Sequence, residues 1–169
     1  RCIPADDLIE RHVLELRYFH FQRANEIRER KNYNTICLIH FQLQNGNTIP
    51  VLHRSYYLES LPNGSIWLSL CTYTPYIETP TLTSGQIINN KNGKVVQQKE
   101  YQLYDNLLLS PREKEVLTLL AKGHSSKQIA DILNISTNTV YRHRQNILSA
   151  LQVSNTAAAI QVGFRLNII

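Results

Sequence analysis

The chain has 169 residues, 43% of them apolar and 18% charged. That balance excludes a mainly disordered chain and leaves room for one medium domain or two small ones, of which two is the expectation. The net charge of +5 is uneven: residues 1–109 carry 11 Lys and Arg against 10 Asp and Glu, a net of +1, whereas residues 110–169 carry 7 against 3, a net of +4. The positive field therefore belongs to the C-terminal third and suits a polyanionic partner.

Cys2, Cys37 and Cys71 are too few and too widely spaced for a disulfide framework or a zinc knuckle. No apolar run approaches the ~18–20 residues that cross a bilayer, and a signal-peptide core is lacking at the N-terminus. A cytoplasmic protein without membrane contact is expected. The chain starts at Arg1 and has no methionine, which suggests a fragment.

Residues 5–31 show helical spacing, with Leu8, Val13, Leu16, Phe19, Ala24 and Ile27 among charged residues, and predict one or two helices. From Thr35 the period becomes two, placing Cys37, Ile39, Phe41 and Leu43 on one face of a strand. Asn45-Gly46 suits a tight hairpin turn, and a second strand follows from Thr48 to Glu59. Asn63-Gly64 precedes a third, Ser65 to Thr74. Pro75 to Ser84 reads as a connector, Asn92-Gly93 as the turn of a further hairpin, and Tyr101 to Leu109 as a linker or short strand.

The last sixty residues carry the clearest local signals. Ser110, Pro111 and Glu113 form a capping box with proline at the first helical position, Val116, Leu117, Leu120 and Ala121 give the apolar stripe, and Gly123 suits a left-handed cap. Ser125 and Gln128 repeat the logic for a shorter helix with Ile129, Ala130 and Leu133. After the turn at Asn134-Ile135, Ser136 or Thr137 caps a third helix. This is the outline of a helix-turn-helix. Projected at ~100° per residue, Val140, His143, Ile147 and Leu151 of the third helix face the core, while Asn138, Tyr141, Arg142, Gln145 and Ser149 face away and Arg144 sits at the flank. The outward set can donate to, accept from or stack on base edges.

"LSPREKEVLTLLAKGHSSKQIADILNISTNTVYRHRQNILSALQV", Leu109 to Val153, resembles the LuxR-type (GerE) helix-turn-helix. The resemblance implies a four-helix DNA-binding module, usually dimeric, found in transcription regulators. It places Tyr141, Arg142 and Gln145 where the family reads bases and Lys127 and Thr139 where it holds phosphates. With the projected face, the expected base-reading set is Asn138, Tyr141, Arg142 and Gln145, and the expected phosphate set is Ser126, Lys127, Thr137, Thr139 and Arg144. Tyr141 and Ala150 stand where the family usually has lysine. The last helix is apolar on two sides, Ala157, Ile160 and Phe164 on one and Ala158, Ala159, Val162 and Leu166 on the other; the second set is expected to face a second subunit.

The helices and hairpin-linked strands of the N-terminal part resemble the second half of a PAS sensor domain, with Asn45-Gly46, Asn63-Gly64 and Trp67 in its hairpin pattern. The fold expected is an α+β N-terminal domain with an antiparallel sheet, residues 1–104, followed by an all-α four-helix LuxR-type domain, residues 105–169. The function expected is a sequence-specific transcription regulator that binds double-stranded DNA as a homodimer under N-terminal control, with RNA polymerase as a further partner to consider. No catalytic set, metal site or cofactor site is evident. A sigma-factor-like polymerase subunit and a ligand-binding or enzymatic domain with a helical tail are the alternative readings.

Overall fold

A computed structural model describes residues 2–77 and 85–169, so the connector expected at Pro75 to Ser84 lies largely outside the described residues. The chain divides into two compact units, Arg1–Gln102 and Leu103–Ile169, the first α+β with an antiparallel sheet and the second helical.

The first unit opens with helix α1, Ala5–Ala24, whose first turn holds Asp6 and Asp7 at the end where the helix dipole favours carboxylates. It buries Val13, Leu14, Leu16, Tyr18, Phe21 and Gln22. The expected stripe is thus corrected: Val13 and Leu16 are inside, but Ala24 and Ile27 are exposed. Two polar-tipped side chains enter the core instead because each finds a partner. The Tyr18 hydroxyl donates to the Tyr33 carbonyl at 2.7 Å, and Gln22 Nε2 donates to Tyr18 Oη at 2.8 Å and to the Arg30 carbonyl at 2.7 Å. A 3-10 helix, Ile27–Asn32, follows.

Strands β1 (Tyr33–Gln42), β2 (Thr48–Ser60) and β3 (Ile66–Pro75) form the antiparallel meander expected from the alternation, and β4 (Gln86–Asn89) pairs with the other edge of β1, giving the order β3-β2-β1-β4. Cys37 lies opposite His53 and Ile39 opposite Val51, and these four are buried. The two Asn-Gly turns have Gly46 at φ +84° and Gly64 at φ +82°, torsions that cost glycine little. In each, the asparagine Oδ1 accepts from the amide two residues on, at 3.0 Å. The Asn92-Gly93 hairpin is reduced to a turn with one antiparallel bridge, Ile88 to Val95.

Tyr101 to Leu109 is not a linker or strand: helix α2 spans Gln98–Leu107. The Glu100 carboxylate accepts from the Gln97 amide at 2.8 Å, which is half of a capping box without a Ser or Thr to announce it. The second unit continues with α3 (Pro111–Ala121), α4 (Ser126–Leu133), α5 (Thr137–Ala150) and α6 (Thr156–Arg165). Its core is Leu109, Val116, Leu117, Ile129, Ala130, Val140, Ile147, Leu151, Ala159, Val162 and Leu166. Gly163 lets α6 approach α3, since a Cβ there would lie 3.0 Å from Leu117 Cδ2.

Candidate nucleic-acid interface

The start of each relevant helix is fixed by its own side chains. Ser110 and Glu113 exchange hydrogen bonds across the first turn of α3, and Ser125 and Gln128 do the same for α4. Ser136 caps α5 by accepting from the Thr139 amide at 3.1 Å, with its hydroxyl 2.8 Å from Thr139 Oγ1. Burial pushes the Glu113 carboxyl up, but hydrogen bonds from Ser110 and Asn146 and the charge of His143 outweigh it, so the group sits below its ordinary range.

The turn between α4 and α5 is closed by Asn134 at φ 51°. The Asn134 amide donates to the Asp131 carbonyl at 3.3 Å and the Ile135 amide to the Ala130 carbonyl at 3.0 Å, the paired bonds of a Schellman closure. Arg112 locks this end of α4 from outside, donating through Nη2 to the Leu133 carbonyl at 2.6 Å and through Nη1 to Glu115 at 2.7 Å. Its role was not anticipated from the sequence, although it lies inside the "SPRE" stretch.

With α4 and the turn fixed, α5 is rotationally committed. Val140, Ile147 and Leu151 are fully buried, and His143 is half-buried with Nδ1 enclosed. Asn138, Tyr141, Arg142 and Gln145 are all exposed on the opposite side, Tyr141 to 53%. Helical side chains at these spacings form one continuous strip about two turns long. Lys127 is exposed at the start of α4, and Thr137 and Thr139 are half-exposed in the first turn of α5.

Two members of the expected phosphate set are engaged elsewhere. Arg144 Nη1 donates to Ser126 Oγ at 2.8 Å and Nη2 to Thr156 Oγ1 at 3.0 Å, tying the N-termini of α4 and α6 to the middle of α5. Ser126 is 7% exposed. A hydroxyl held inside the domain and a guanidinium already shared between two helices brace the interface. Arg144 also lies 5.9 Å from the centroid of the Tyr141 ring, which steadies the ring at the edge of the outward strip.

The expected dimer face is also corrected. Ala159, Val162 and Leu166 are buried in the core of their own unit, where α6 meets α3. Ala158 is half-exposed, and the outward side of α6 carries Ala157, Gln161 and Phe164. Choosing which of two apolar faces turns inward needs the position of Gly163 against Leu117, which no periodicity contains.

Residues 107–162 match the family described as "Bacterial regulatory proteins, luxR family". The response regulator protein VraR of Staphylococcus aureus is 41% identical over 71 residues, 42% of this chain and 33% of VraR, and VraR of Staphylococcus epidermidis matches to the same extent. The chain spans about a third of the length of these curated relatives. Among solved structures, a Vibrio cholerae VqmA dimer free of target DNA aligns at TM-score 0.35 and 18% identity, over 81% of this chain and 56% of that one. A phage VqmA–DPO complex aligns at TM-score 0.34 and 21% identity, over 80% and 56%.

Proposed function

From the premise that residues 107–162 belong to the luxR family of bacterial regulatory proteins, we propose that this chain is a sequence-specific transcription regulator that inserts α5 in the major groove of duplex DNA. The observation that carries the reading is the outward strip of Asn138, Tyr141, Arg142 and Gln145, exposed together while Val140, Ile147 and Leu151 anchor the other side. Arg142 and Gln145 can form paired hydrogen bonds with guanine and adenine edges respectively, and the Tyr141 ring can rest on a thymine methyl. Lys127, Thr137 and Thr139 hold phosphates and set the register, and they carry no sequence information.

The first unit, 1–104 in the functional division, supplies control, in keeping with its resemblance to PAS sensors. Homodimerisation uses the outward side of α6, where Phe164 is 57% exposed, and so presents two copies of α5 to neighbouring half-sites. VraR, the relative in Staphylococcus, is itself a response regulator, which agrees with a regulatory output for the matched segment.

Selection of bound duplexes from a random pool by the whole chain identifies the operator. On that operator, Arg142→Ala lowers affinity by about 1–3 kcal/mol and relaxes choice at one base pair, with little loss on random DNA. Lys127→Ala weakens both alike and shallows the salt slope by about one unit. Equal loss on operator and random DNA for Arg142→Ala would remove the base-reading role.

A further inference from the structure

A cationic cleft of about 410 Å³ opens in the first unit, lined by Phe19, Arg23, Arg30, Asn63, Ser65 and Ile66, with Gly64 at the turn between β2 and β3. Among the described residues no Asp or Glu lines it. Arg30 is 5% exposed. Its Nη1 donates to Ser60 Oγ at 3.1 Å and to the Gly64 carbonyl at 2.7 Å, and its Nε to the Asn25 carbonyl at 3.4 Å. Every one of these acceptors is neutral, and among the described residues Nη2 has no protein acceptor. A guanidinium cannot shed its proton to escape burial, so a buried arginine without a carboxylate is an uncompensated charge.

The second cation is placed differently. Arg23 is exposed, with its guanidinium 5.7 Å from the Phe19 ring centroid, and no carboxylate partner for it is found among the described residues. The cleft thus holds one fixed and one adjustable guanidinium against an aromatic and aliphatic wall. Its volume falls in the range of small-molecule sites, roughly 300–1,000 Å³.

We infer that this cleft binds the oxyanion group, carboxylate or phosphate, of a small ligand, with Arg30 Nη2, the part of this guanidinium not engaged by the protein, as the fixed donor and Arg23 closing over it. The planar fork of arginine matches two oxygens of such a group, and the ligand's negative charge offsets the charge that the protein leaves unpaired. A purely structural arginine clamping the 3-10 helix to the turn would need only Nε and Nη1. The site lies wholly within Arg1–Gln102 and stands whether or not the C-terminal helices bind DNA.

The test is a titration of the whole chain, followed through the arginine side-chain N–H resonances, with sodium phosphate, sodium acetate and sodium chloride at matched ionic strength. Saturable shifts of the Arg30 signals with phosphate, acetate or both, absent with chloride, are expected, and the two oxyanion arms tell which chemistry is preferred. Arg23→Ala should weaken this binding about tenfold, and Arg30→Lys, which keeps the charge but lacks the fork, should abolish saturation while β1 and β2 amides stay dispersed. If Arg30→Lys fails to fold, Arg23→Ala decides alone. Oxyanion shifts no different from those with chloride, or binding unchanged by Arg23→Ala, overturn the inference.

Discussion

The two units of the chain are specified by different kinds of information. In Leu103–Ile169, helix starts are written within four residues of themselves, as in Ser110 with Glu113 and Ser125 with Gln128. In Arg1–Gln102 the deciding contacts join distant residues: Tyr18 to the carbonyl of Tyr33, Arg30 to the turn at Gly64, and Cys37 beside His53 across two strands. A helical unit built from local signals presents a rigid face with few alternatives, as the proposed base reading requires. A sheet unit with charged and polar groups drawn into its interior holds chemistry that answers to its surroundings. The difference is in keeping with the roles proposed above, DNA reading for the second unit and control for the first.

The largest effect is expected in the core of the second unit. Leu117 is fully buried and lies under Gly163, so Leu117→Ala removes contacts from two helices at once and should cost about 2–5 kcal/mol. Hydrogen exchange resolved by residue should show the loss across α3 to α6, with operator binding falling as the folded fraction falls. If α5 amides keep their protection, local capping and not the shared core holds that helix in place.

The first unit is tested by acid. His53 is fully buried, its Nε2 finds no acceptor or donor among the described residues, and burial, then the positive charge of Arg11, lowers its pKa from 6.5 to about 4. The unfolded chain therefore binds this proton more readily than the folded one between those two values. His53's contribution is present in full above pH 6.5, declines as the pH falls, and is exhausted near pH 4, a loss of about 3 kcal/mol. In His53→Gln this slope should flatten in urea titrations across that range; an unchanged slope assigns the acid sensitivity to another group. Cys37, whose thiol burial pushes up to about 12, stays neutral throughout.

How much of this was legible in the sequence follows the same division. The meander could be read because one face of β1 and β2 is inside and one is not, so buried Cys37 and Ile39 alternate with the half-buried Ile36, Leu38 and His40, and because Asn45-Gly46 and Asn63-Gly64 mark its turns. The helix-turn-helix could be read because Ser110, Gly123, Ser125 and Ser136 mark its ends. Helix α2 was missed because Gln97 is an unusual residue to start a helix, and its exposed Leu103 and Leu107 give no inward stripe. The burial of Tyr18, Gln22 and Arg30 was illegible for a related reason: a polar side chain goes inside only where a distant partner waits, and no local pattern names that partner. The outward strip of α5 was read correctly by projection. The ties of Arg144 could not be read, because a flank position at 100° per residue does not reveal that Ser126 and Thr156 converge on its two nitrogens.

The smallest predicted effect sharpens the claim that local signals set the second unit. Four helices there end in the same paired closure, and the left-handed residue is Gly123 after α3, Asn134 after α4, Gln152 after α5 and Asn167 after α6. Glycine adopts that conformation freely and asparagine tolerates it, whereas glutamine has neither advantage. Gln152 at φ 53° is therefore the one closure of the four made against the residue's own preference. Its side chain is exposed, so Gln152→Gly removes little packing, and relief of the backbone should exceed the added freedom of the unfolded chain, leaving a gain of about 0.5–1 kcal/mol. Urea unfolding checks it, with Asn167→Gly as the control that should gain less. A loss of stability in Gln152→Gly would mean that the end of α5 is held by tertiary packing around Leu148 and Val153, and that the second unit is less locally determined than its capping residues imply.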